Sequence, residues 1–279
     1  MYVDTSCSDA VAPARMQRAE GRVRLAFHAK AGATRIETLF QEGCAKARLP
    51  SPLRNAAPEA ILINTAGGLA GGDRLATEVE LAAGASAMVT TQACERVYRS
   101  TGPAATVSAR LRLSGGARLA WLPQETILFD GCRLERSLEA DLDSDAELLA
   151  VEAFLFGRMA MGETVRSGGL HDRWRIRREG RLIFADDLRI EGRIAGQIER
   201  TAVLDGNVAL ATVLYAGPDP ERLLEPARAI IGGHGGASAW EGKFLARLVA
   251  GTGLTLRRRL EPLLSLLLSG QPLPKVWQL

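Results

Sequence analysis

Polar and apolar residues alternate through much of the chain. Gly21-Arg-Val-Arg-Leu-Ala-Phe-His28 places every second side chain on one face, the period of a strand with one buried surface. Glu59-Ala-Ile-Leu-Ile-Asn64 is a short apolar run, and Thr77-Glu-Val-Glu-Leu81 alternates again before a Gly84-Ala85 turn; neither is long enough for a typical helix. A looser regularity spans Thr77 to Thr90, Val107 to Trp121 and Leu134 to Leu149, each reading as strand, small turn, strand. The turn alanines Ala85, Ala117 and Ala146 recur about every 30 residues, the scale at which repeat architectures stack units that cannot bury an apolar face alone. This pattern predicts stacked β-layers, although hairpins of an ordinary β-sandwich share the same turn chemistry.

His171 to Phe184 holds two alternating runs around Glu179-Gly180 and predicts a hairpin; another strand is expected over Val208 to Tyr215. Helical spacing appears only late. Asp219-Pro220 offers a cap and a first-turn proline ahead of Leu223, Leu224, Ala227, Ile230 and Ile231, with Pro226 expected to kink the helix. Leu256, Leu260, Leu263, Leu264 and Leu267 share a second helical face, interrupted by Pro262 and stopped at Gly270. The expectation is a mainly β protein with about two α-helices near the C-terminus. Residues 1–20 form a disordered tail in this reading, and residues 21–279 one β-rich domain without an internal linker.

Composition narrows the function classes. With 279 residues, 47% of them hydrophobic, the chain can bury a sizeable core. A net charge of +3 is too small for a general grip on nucleic acid or anionic lipid. Cys7, Cys44, Cys94 and Cys132 are widely separated, so neither a zinc knuckle nor a disulfide framework is indicated, and reduced thiols fit a cytoplasmic location. The first twenty residues lack a signal-peptide core, and the apolar run Leu260 to Leu268 is too short and too interrupted to anchor in a membrane.

The most conspicuous motif is Asn64-Thr-Ala-Gly-Gly-Leu-Ala-Gly-Gly-Asp-Arg74. A phosphate loop would open a helix, whereas Asp73-Arg74 leads into an alternating strand, so nucleotide binding is not expected. Gly67, Gly68, Gly71 and Gly72 instead suit a tight crossing or bulge, with Asp73 capping the turn. His28, His171 and His234 are scattered singly, which disfavours a tight transition-metal cage. No nucleophile elbow is present, and Cys94 reads as buried filler. Carboxylates recur beside apolar strands at Asp73, Glu125, Asp130, Glu152, Glu163, Asp186 and Asp187; a pair facing a cleft could act as acid and base, while the common case is a solvated or salt-bridged group.

The Asn64–Asp73 loop, Arg96-Val-Tyr-Arg-Ser100, Trp121-Leu-Pro-Gln-Glu-Thr-Ile127, Gly157-Arg-Met-Ala-Met-Gly-Glu163 and Leu273-Pro-Lys-Val-Trp277, in that order, resemble the signatures of the UreD (UreH) family of urease accessory proteins from about Gly21 to Leu279. The resemblance implies a β-helix-like stack of strands with two helices and a non-catalytic role. UreD-like proteins bind apo-urease (UreA, UreB, UreC) and join UreF and the GTPase UreG in a chaperone complex that installs nickel supplied by UreE. It therefore implies no tightly bound cofactor, transient Ni²⁺, and no nucleic-acid or membrane partner. Oxygen ligands release such an ion faster than a His/Cys cage, which makes Asp73, Glu125, Glu163 and Asp187, in or near the family motifs, the expected path-lining acids. The alternatives are a β-solenoid or barrel hydrolase using paired carboxylates, and an interaction module that carries no metal.

Overall fold

The computed structural model describes residues 17–51, 57–158 and 162–277. The three sequence repeats become three turns of a coil. Each strand of one sheet passes through a tight corner into a strand of a second sheet: β5 (Arg74–Leu81) into β6 (Ser86–Thr91), β8 (Ala105–Leu113) into β9 (Arg118–Leu122), and β11 (Arg133–Leu142) into β12 (Glu147–Phe156). The corner alanines are the reason the copies resemble one another. Ala85, Ala117 and Ala146 are fully buried, and the corners hydrogen-bond one above the next, Arg118 N–H to the Ala85 carbonyl and Glu147 N–H to the Ala117 carbonyl. A larger side chain would push these corners apart.

Sheet A has seven strands in the order β14-β13-β11-β8-β5-β1-β2. Its parallel centre includes β1 (Glu20–Lys30) and β13 (Gly168–Arg178); antiparallel hairpin partners close it at both ends, β2 (Ala33–Gly43) and β14 (Arg181–Gly192). Sheet B contains β3 (Ala45–Arg48), β4 (Glu59–Asn64), β6, β9 and β12, then continues antiparallel through β15 (Ala209–Ala216), β17 (Lys243–Ala250) and β16 (Gly235–Trp240). Two short strands, β7 (Glu95–Val97) and β10 (Thr126–Leu128), pair in parallel at the return corners.

Helices cover the outer face of sheet B. A 3₁₀ turn, Pro220–Leu223, leads into α2 (Leu224–Ile231), following the short α1 (Ile194–Ile198) earlier in the chain; α3 (Gly253–Leu267) comes last. Asp219 makes no side-chain cap, sitting instead in the left-handed region, and Pro226 falls in the first turn of α2, where a missing N–H costs nothing. Thr252 caps α3 by accepting from Thr255 N–H at 3.0 Å. The predicted leucine face of α3 is buried against Val151, Ala211 and Val213 of sheet B. Among the described residues no helix is long and apolar enough to cross a membrane.

The glycine motif makes the expected tight crossing between β4 and β5. A Cβ on Gly68 would come within 2.4 Å of the Tyr98 ring, and one on Gly71 within 1.9 Å of Ser100 Oγ. β1 begins at Glu20, and Ala19 N–H is held by Asp73; the rest of the expected tail, residues 1–16, lies outside the described residues. Cys44, Cys94 and Cys132 are free thiols, and Cys7 also lies outside the described residues.

Candidate functional site

The space between the sheets holds two apolar clusters. One is built around Leu111, Leu138, Leu148 and Trp174, the other around Val97, Leu128, Leu134 and Phe156. Between them lies a band of charge. Along β11 the inward positions are Leu134, Arg136, Leu138 and Ala140, and along β13 they are Leu170, Asp172, Trp174 and Ile176, so each strand carries one charged residue on an otherwise apolar face. Register sets Arg136 directly beside Asp172. On the facing sheet, Glu152 of β12 aligns with Thr212 of β15, and Thr212 with Arg247 of β17. Two ion pairs then bridge the sheets, Arg136 with Glu152 and Arg247 with Asp186 of β14.

Indole N–H groups hold these carboxylates in place: Trp121 Nε1 donates to Glu152 Oε1 at 3.0 Å and Trp174 Nε1 to Asp172 Oδ2 at 2.9 Å. Asp172 Oδ1 is buried with no hydrogen-bond partner among the described residues. Glu152 Oε2 touches the Arg136 guanidinium without accepting a well-directed hydrogen bond. Loss of hydration raises both carboxyls above the ordinary carboxylate range, against the opposing pull of Arg136. Desolvation also raises Glu95, offset first by the Asn64 amide, which donates to both of its oxygens at 3.2 Å.

A cavity of about 250 Å³ connects this band to one edge of the molecule, with Asn64, Glu95, Gln124, Trp121 and Arg136 in its wall. Its polar lining follows from the coil. Asn64 meets Glu95, Cys94 meets Glu125 and Trp121 meets Glu152, each pair 31 residues apart, one turn of the stack. Glu95, Arg136, Glu152, Asp172, Asp186 and Arg247 form a chain of mutual electrostatic influence, and Arg96 acts on Glu95 as well, so four carboxylates meet three guanidiniums.

The four acids expected from sequence fall in separate places. Asp73 is buried and caps the glycine turn, accepting from Ala19 N–H at 2.8 Å and Ala70 N–H at 2.7 Å. Glu125 is buried beneath Arg257 at 3.3 Å and accepts from the Cys94 thiol at 3.4 Å; its neighbours Gln124 and Thr126 line the cavity. Glu163 pairs with Arg158 at 2.8 Å near the surface, and Met159 and Met161, expected beside it, lie outside the described residues. Asp187 projects from the outer face of sheet A, where a hydrogen bond from His171 and then one from Arg175 hold its carboxyl below the usual range. Its neighbour Asp186 is the one that faces inward. No cluster of three or more His, Cys, Asp or Glu suited to a resident metal occurs among the described residues.

The sequence pattern of the family described as UreD urease accessory protein matches residues 19–278, nearly the whole chain. The chain belongs to the UreD family. Among similar proteins, one from Agrobacterium fabrum named urease accessory protein UreD is 54% identical over 275 residues, 99% of this chain and 96% of its own. One of the same name from Rhizobium leguminosarum bv. viciae is 53% identical, covering 96% of this chain and 98% of its own. A third, from Mesorhizobium japonicum, is 48% identical over 96% of each chain. The chain is thus a urease accessory protein and not itself a catalyst, and its partners are to be sought in urease maturation.

Proposed function

We propose that the chain is a scaffold for nickel delivery, passing Ni²⁺ through its interior toward apo-urease within a complex containing UreF and the GTPase UreG. The observation that carries this reading is the excess of carboxylates in the interior band, four facing three guanidiniums along a route that begins at an open cavity. A divalent cation is the species such an imbalance attracts, and buried carboxylates with an unused oxygen are ready acceptors for it. Hard oxygen donors favour release over retention. The thiol beside the route would not compete, because burial pushes Cys94 up to about 12, keeping it protonated near neutral pH. Of the acids expected from sequence, Glu125 stands closest to this route through its cavity-lining neighbours; Asp73, Glu163 and Asp187 hold a turn or surface pairs.

Nickel-dependent activation of apo-urease in a reconstituted mixture tests the route. Glu152→Gln combined with Asp172→Asn should leave complex formation with UreF intact, lower activation at limiting nickel, and recover part of it at high nickel. Unchanged activation across the nickel titration by a folded, complex-forming variant would show that the band serves stability alone.

A further inference from the structure

The two ends of the stack finish differently. At one end sheet A stops at β14, which exposes Arg181, Asp187, Arg189 and Glu191, and sheet B stops at β16, whose Ala237 carbonyl is covered by the Arg228 guanidinium of α2. At the other end sheet B stops at the short β3, where the Gln41 side chain accepts from Ala47 N–H at 3.0 Å. Sheet A stops there at β2, 11 residues long, with β1 as its one strand partner. Three of the eight large apolar side chains exposed among the described residues stand on β2: Ile36, Leu39 and Phe40, at 37%, 43% and 44%. A long edge strand with apolar side chains is the part of a sheet that recruits another strand.

Which strand fits is set by the phase of the β1–β2 ladder. Cys44 N–H donates to the Glu20 carbonyl at 2.9 Å, and in an antiparallel pair such bonded positions alternate with unbonded ones. Along the register this turns the backbone groups of Glu42, Phe40 and Thr38 toward β1, and those of Arg35 beyond the register shift, with Glu37 the extra residue. Thr34, Ile36, Leu39 and Gln41 turn theirs outward. These four lie symmetrically about the midpoint between Glu37 and Thr38, so a second β2, antiparallel and related by a two-fold axis through that point, pairs all of them at once: Ile36 with the partner's Leu39 and Thr34 with the partner's Gln41. The side chains agree with this register. Ile36 and Leu39 stand opposite the buried Phe27 and Leu25, and the Thr34 hydroxyl accepts from Ser86 N–H of sheet B at 2.9 Å, so all three share the inner face, where the two copies cover each other's apolar groups. On the outer face Arg35 comes opposite the partner's Phe40 and diagonal to the partner's Glu42. Neither Arg35 nor Glu42 has an ion pair within the chain among the described residues. The bulge at Glu37, which would spoil pairing with a regular strand, is matched by its own copy. We infer that β2 is a homodimer interface, joining the A sheets of two copies in one closed antiparallel pair.

Sedimentation velocity on the full chain tests the inference. The chain should form a dimer and nothing larger, with a dissociation constant on the order of 10 μM for so narrow an interface. Leu39→Pro removes an outward N–H without touching the ladder to β1, so it should leave a folded monomer. Arg35→Glu sets like charge against the partner's Glu42 and should weaken the dimer about tenfold, whereas Arg35→Glu combined with Glu42→Arg should restore it. That restoration distinguishes this register from any other contact and does not depend on the proline variant folding. A chain still monomeric at about 100 μM, oligomers that keep growing with concentration, a dimer that persists in folded Leu39→Pro, or no restoration by the double exchange would overturn the inference. A chain monomeric alone whose Leu39→Pro variant loses UreF would overturn it too, and would give the edge to a strand of that partner.

Discussion

The two faces of sheet A carry the same residue types and behave as different materials. On the outer face Arg22, Arg24, Arg110 and Arg112 meet Glu78, Glu80 and Glu139 at 2.7–3.9 Å, with arginines roughly half or more exposed. On the inner face Arg136 is 9% exposed, and its partner Glu152 from the facing sheet is 1% exposed. Glu135 and Arg136 are adjacent in sequence and point to opposite faces, so a single step along β11 moves a charge from water into the core. Water screens the outer pairs until they contribute little, whereas an inner charge deprived of its partner has nothing to replace it. What sets the energetic weight of a charge here is therefore the setting and not the residue.

The contrast breaks most sharply at Arg136. Arg136→Met should cost about 3–5 kcal/mol in chemical denaturation, because Glu152 and Asp172 lose their shared cation; a cost below about 1 kcal/mol would mean that the inner face is as well hydrated as the outer. Next comes pH. Glu152 and Asp172 are raised above their unfolded values, so folding takes up protons between the two values; the stability they contribute is complete at acid pH and is lost as pH climbs through the raised range toward neutrality. Glu152→Gln should remove part of this dependence. Its melting temperature relative to the parent should rise between about pH 5 and about pH 7.5, by the equivalent of about 1–2 kcal/mol; a constant difference would contradict the burial of an ionisable Glu152. A smaller effect is expected at the near-surface Arg158–Glu163 pair, where Glu163→Gln should change stability by about 1 kcal/mol or less, read by thermal melting. Smallest is Glu139→Gln on the outer face, within about 0.5 kcal/mol and fading further in molar salt.

Much of the fold was readable because the repeats are local. Corner alanines, the glycine crossing and the leucine face of α3 each state their structure within a few residues, and the two late helices match α2 and α3. Strand β2 and the β16–β17 hairpin were not foreseen: β2 is a mostly exposed edge strand with a register shift against β1, so it lacks clean alternation. The interior band had a signal that went unused. Arg136 interrupts Leu134 and Leu138, Asp172 interrupts Leu170 and Trp174, and Glu152 interrupts Ala150 and Phe154, each at period two on a buried face. A charge in such a place is expensive unless paired. The choice between Asp186 and Asp187 also had an unused signal, because Phe184, Asp186, Leu188 and Ile190 alternate on one face and the register shift at Ile176 and Arg177 falls before them. That Glu95 joins the band depends on one-turn stacking across 31 residues, which no local pattern encodes.

The closing contact of the chain bears on how the molecule is made. Trp277 is fully buried and donates its indole N–H to the Leu122 carbonyl at 3.0 Å, while Arg257 of α3 reaches the carbonyls of Val276 and Trp277. The coil can wind one turn at a time as it leaves the ribosome, since each turn rests on the one before it. The outer face of sheet B, with Met88, Ala120, Leu149 and Val151, has no such early cover and waits for α3 and the Lys275–Trp277 turn, synthesised more than a hundred residues later. Throughout that interval the nascent chain presents an apolar sheet to the cell, so premature termination before Trp277 would yield a wound but sticky coil, a natural client for holding chaperones.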